Sequence, residues 1–72
     1  MRQVILIPDF EVGGYIVEVP SLPGCVSAGD TLKEALENVR YAIQDYIAYL
    51  EDEGRPVPHE DSVRVMLAEV DV

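Results

Sequence analysis

The stretch "EVPSLPGCVSAGDTLKEALENV", Glu18 to Val39, holds a chain reversal, a short extended run and the start of a helix. Pro23 presets φ at the second position of a turn, and Gly24 tolerates the positive φ that a type II turn needs. "CVSAG", Cys25 to Gly29, then reads as a short third strand at a sheet edge, ended by Gly29. Thr31 followed by Glu34 is a capping box, and Asp30 adds negative charge near the positive helix end. Apolar residues recur at Leu32, Ala35, Leu36, Val39, Ile43, Tyr46, Ile47 and Leu50, the stripe of a helix packed on one face. Lys33, Glu37, Arg40, Gln44 and Glu51 fall on the solvated side. Gly54 is the natural residue just past the helix end, and Pro56 and Pro58 stop any continuation. The helix is predicted over Leu32 to Glu53.

Upstream, "VILI", Val4 to Ile7, is apolar without interruption and β-branched at three of its four positions, as suits a central strand buried on both faces. "DFEVGG" is a loop whose glycines can take positive φ. "YIVEV", Tyr15 to Val19, is a second strand with Tyr15, Val17 and Val19 on one face and Ile16 and Glu18 on the other. The close spacing predicts an antiparallel hairpin. Downstream, "RPVPHED" is a proline-stiffened connector, and "VRVMLAEV", Val63 to Val70, reads as a last strand. The expected fold is α+β, in the order β-β-β-α-β. The helix would return the chain so that the last strand lies beside the first, completing a mainly antiparallel four-stranded sheet of order 3-2-1-4. One long helix covers one face. The other face keeps apolar residues with nothing in the chain to cover them, and an uncovered apolar face predicts an interface.

Seventy-two residues make a single domain, 1–72, with no room for a second. A core this small supplies roughly 3–5 kcal/mol. One cysteine excludes an internal disulfide, and with one histidine it falls short of a structural zinc set. Self-association is the remaining source of stability, as a dimer or a tetramer. Fourteen acidic against five basic residues give a net charge of −9, which repels phosphate backbones and anionic membranes and favours a basic protein partner. No apolar run approaches the roughly 20 residues of a membrane span. A cytoplasmic location is expected. No Gly-rich phosphate loop is present, and a Ser-His-Asp set cannot be built around His59. Cys25 reads as a packed small hydrophobe. Asp9, Glu11, Glu18, Asp30 and Glu34 are the candidate carboxylate ligands for Mg²⁺, and they read instead as a solvated acidic surface. No catalytic residue, cofactor or metal is therefore assigned, and the chain is not expected to be an enzyme.

The run "GGYIVEVPSLPGCVSAGDTLKEALENVRYAI", Gly13 to Ile43, resembles the HicB-type antitoxin family and its single-domain relatives. The match follows G-[GY]-Y-x-[AV]-x-V-P-x-L-P-G-C-x-[ST]-x-G-x-T-x-x-E-A-x-x-[NA]-x-x-x-A-I nearly throughout, and "YL…GRPVP" resembles the family's helix end. The resemblance implies a partial ribonuclease-H-like fold without that enzyme's acidic catalytic set. It also implies a partner: a small basic HicA-type toxin that cleaves mRNA. Many such antitoxins carry a C-terminal DNA-binding domain. None is expected here, so direct nucleic-acid binding is not.

Two sets of surface residues follow. Val4, Ile5, Leu6, Ile7, Tyr15, Val17, Val65 and Leu67 are expected to mediate self-association. Asp9, Glu11, Glu18, Leu22 and Pro23 are expected to contact the toxin. The rival expectation is a stand-alone homo-oligomeric domain with a different protein partner.

Overall fold

The computed structural model describes residues 1–59 and 65–71. Three strands precede one helix: β1 (Ile5–Pro8), β2 (Tyr15–Glu18), β3 (Val26–Gly29) and α1 (Leu32–Asp52). β1 pairs antiparallel with β2, and β2 with β3, giving a three-stranded sheet of order β1-β2-β3.

Local chemistry sets each element. Asp9 Oδ1 accepts from the N–H groups of Glu11 and Val12, folding the β1–β2 loop, and Gly13 and Gly14 supply positive φ there. The β2–β3 reversal closes with Cys25 N–H on the Leu22 carbonyl at 2.9 Å, around Pro23 and Gly24 (φ 85°), as a type II turn requires. Thr31 is the N-cap of α1, its hydroxyl accepting from the Glu34 N–H at 3.1 Å. At the other end Gly54 (φ 66°) donates to Glu51 and Arg55 donates to Leu50, the two bonds of a Schellman motif. Thr31→Ala removes the cap acceptor, which costs about 1 kcal/mol. In a domain of this size that lowers Tm by roughly 4–8 °C, and a thermal melt against Thr31→Asp, which retains an acceptor, checks it.

The core lies between α1 and the β2–β3 half of the sheet. Val17, Val19, Leu22, Cys25, Ala35 and Val39 are buried together, and Val4, Tyr15, Ala42, Ile43, Tyr46 and Ile47 pack around them. α1 packs on β3 and β2 but not on β1. Consequently Leu6, which shares the helix-side face with Val17, stays partly open, as do Leu32 and Leu36 of the predicted stripe.

Among the described residues the sheet has three strands, and the fourth strand and the order 3-2-1-4 expected from sequence are not seen there. Of the strand expected over 63–70, positions 63 and 64 lie outside the described residues, and 65–70 make no strand pairing. Val65 reaches the start of β1, its N–H 3.4 Å from Gln3 Oε1, but beyond it the chain departs, leaving Met66 and Leu67 exposed. Among the described residues β1 is thus an edge strand.

Candidate protein-binding face

Register decides which side chains face outward. Pairing of Ile5 with Glu18, Ile7 with Ile16, Val26 with Glu18 and Ala28 with Ile16 puts Ile5, Ile7, Ile16, Glu18, Val26 and Ala28 on the face away from the helix. Among them Ile16 is 38% and Val26 53% exposed, so the face is apolar and open. Glu18, at the end of β2 on this face, has no side-chain partner among the described residues.

Two shallow hollows lie at opposite ends of this face. One, of about 310 Å³, runs between Ile5, Glu18 and Val26 and the turn formed by Pro20, Pro23 and Gly24. An apolar trough with one carboxylate suits a long basic side chain, whose stem packs while its head meets the charge. The other, of about 350 Å³, lies beside the β1–β2 loop and the helix start and is edged by Asp9, Asp30 and Glu34. The turn beside the first hollow is braced from below, because the Tyr46 hydroxyl donates to the Pro23 carbonyl at 2.7 Å.

The residues expected at the toxin contact divide. Glu11, Glu18 and Pro23 are exposed. Asp9 is half-buried and occupied in holding its loop. Leu22 has no exposed surface and belongs to the core. Its turn folds the side chain inward, so it cannot touch a partner directly. The self-association set divides too. Ile5 and Ile7 lie on the open face and Leu6 on the opposite face of β1, while Val4, just before the strand, packs partly buried against the core. Val65 and Leu67 lie in the C-terminal segment. Val17 is fully buried under the helix, and Tyr15, on the same face, is half-buried against the core. Two exposed residues were missed: Phe10 and Val12, standing 94% and 84% exposed in the β1–β2 loop. The signal available was an aromatic side chain between two acids in a glycine-ended loop.

Among the described residues, no group of three or more His, Cys, Asp or Glu side chains could hold a metal ion, and no helix is long and apolar enough to cross a membrane. Cys25 is buried, and desolvation pushes its thiol pKa up. The thiolate fraction at neutral pH therefore falls below that of a free cysteine. Alkylation of the native protein should be slow and should accelerate on unfolding; equal rates in the two states would contradict this burial.

A short sheet covered on one side by one helix, with an open, apolar, acid-edged face on the other, defines a small acidic α+β module. Residues 3–72 match the model of the HicB_like antitoxin of bacterial toxin-antitoxin system, and the chain belongs to that family. It is 38% identical over 65 residues to UPF0150 protein Ta0767 of Thermoplasma acidophilum, covering 90% of this chain and 94% of that protein. It is also 38% identical over 60 residues to Antitoxin HicB 1 of Photorhabdus laumondii, covering 81% of this chain but 39% of the antitoxin. In three dimensions it resembles TTHA0281 from Thermus thermophilus, with a TM-score of 0.74, 29% identity and coverage of 92% and 82% of the two chains. It likewise resembles a chain of the HicA3 and HicB3 toxin-antitoxin complex, with a TM-score of 0.67, 33% identity and coverage of 81% and 66%.

Proposed function

We propose that the chain is a non-catalytic antitoxin-type module that sequesters a small basic HicA-type mRNA-cleaving toxin against its outer sheet face. The observation that carries this reading is its likeness to a chain of the HicA3 and HicB3 complex, at 33% identity. The physics agrees. A net charge of −9 complements a basic RNA-binding surface, speeding encounter and competing for the groups that would hold RNA phosphates. Ile16 and Val26 supply the apolar centre of the contact, Glu18, Glu11 and Asp9 its charged part, and Pro23 its border.

Self-association is the second part of the proposal. The β1 edge, with Val4 just before it and Ile5, Leu6 and Ile7 along it, together with Val65 and Leu67 of the C-terminal segment, is what a second copy would cover, as a dimer or a tetramer. A rival reading, a homo-oligomeric module serving another protein partner, draws on the near full-length match to Ta0767, whose name specifies no partner.

Co-expression tests the main reading. Growth arrest caused by a HicA-type toxin from the same genome should be relieved by this chain, and unrelieved arrest with the folded chain present would reject it. Glu18→Lys should weaken toxin binding by about tenfold, largely through the association rate, with the loss shrinking as salt is raised. Stopped-flow association at two ionic strengths reads it.

A further inference from the structure

We infer that the C-terminal segment, 65–71, is an exchange arm that pairs with the free edge of β1 in a second copy of this chain. The inference rests on the self-association reading above and specifies its geometry.

The sheet has two edges, and they are treated differently. Val19 N–H bonds the Cys25 carbonyl, and Asp9 N–H bonds the Gly14 carbonyl. Antiparallel alternation then turns the backbone groups of Val26 and Ala28 outward on β3, and on β1 those of Leu6 and the carbonyl of Pro8, with Val4 continuing the same edge just before the strand. The β3 edge is engaged by the helix at one point: the Asn38 side-chain amide donates to the Ala28 carbonyl at 2.8 Å. The β1 edge has no backbone partner among the described residues, and α1 does not reach it. Such an edge is a template for another strand.

A strand suited to it stands nearby but turned away. Arg2 donates to the Pro58 carbonyl at 2.8 Å, and Gln3 Oε1 accepts from Val65, so the connector begins and ends beside the start of β1. From Val65 the chain leaves its own body. Met66 is 88%, Leu67 93% and Val70 77% exposed, and Met66 and Leu67 alternate, so both faces of the arm are bare. The radius of gyration is 13.7 Å and the longest extent 41 Å. A compact chain of this length has a radius of about 11 Å. A bare β1 edge and an extended apolar arm in one chain satisfy each other when two copies exchange arms, a low-cost route to a symmetric dimer.

The test uses the full chain. Light scattering should give twice the 8.0 kDa chain mass at micromolar concentration. A sample mixed from isotope-labelled and unlabelled chains should show intermolecular NOEs between the arm amides and Val4 to Leu6. Leu67→Pro, which removes a strand donor outside the core, should return the mass to 8.0 kDa with the helical signal unchanged. A dimer whose arm–β1 NOEs are all within one chain overturns the exchange and leaves self-association standing. A dimer unaffected by Leu67→Pro and lacking arm–β1 NOEs does the same. A wild-type monomer overturns both.

Discussion

Gly29→Ala should strip the domain of a large share of its stability, although the change adds a single methyl group. Its φ is unremarkable for an L-residue, so the sensitivity comes from packing rather than backbone strain. A Cβ at Gly29 would run into the backbone of α1, against the Ala35 nitrogen, 2.7 Å from the Ala35 Cα and 2.8 Å from the Glu34 carbonyl carbon. Backbone cannot rotate aside as a side chain can. The helix must lift from β3, uncovering Ala35, Val39 and Val17 together. Overpacking of this kind costs about 2–3 kcal/mol, about half or more of what so small a core supplies. Tm should fall on the order of 10–20 °C. Gly24→Ala makes the comparison: it meets open space and bears only the left-handed penalty of about 1–2 kcal/mol. A Gly29→Ala melt within a few degrees of the parent would show that α1 does not sit this close to β3.

Leu22→Ala should be comparably destructive. Leu22 and Val17 are the largest side chains with no exposed surface, and Leu22 joins the β2–β3 turn to the underside of α1. Truncating a buried leucine costs about 2–5 kcal/mol, which rivals the whole stability of such a domain. The variant should lose most of its helical circular dichroism at room temperature. Leu22→Met, nearly equal in volume, should cost less than about 1.5 kcal/mol. A stable Leu22→Ala that failed only in partner binding would restore the surface role expected for this residue from sequence.

That reversal at Leu22 shows where sequence reading stops. The caps at Thr31 and Gly54, the Pro23-Gly24 turn and the inward face of α1 were legible because each depends on contacts within a few residues. Leu22, between two prolines in a turn, reads as exposed; only the tertiary fold shows the turn tucked under the helix. Tyr15 and Val17 were correctly placed on one face of β2, but alternation alone does not say which face the helix takes. Register with β1 and β3 is needed to identify Ile16, Glu18 and Val26 as the open side. The strand signal in "VRVMLAEV" is strong on composition, and its partner is a matter of long-range pairing that periodicity does not encode. Leu32 and Leu36 fit the helix stripe, yet stay partly open because α1 sits over β2 and β3 alone. What the local chemistry could not supply was the position of the helix across the sheet.

The proposed capture of a toxin depends on charge and shape at one surface: an open apolar sheet side carrying the Glu18 carboxylate, which a cationic partner would cover. Calorimetric titration with a HicA-type toxin from the same genome measures this directly, using the parent chain and Val26→Asp, which should remain folded because Val26 lies outside the core. The prediction is a one-step binding curve for the parent that weakens as salt is added, and a severe loss for Val26→Asp. Tight binding that survives Val26→Asp unchanged, or no heat and no complex from two folded proteins, would contradict it.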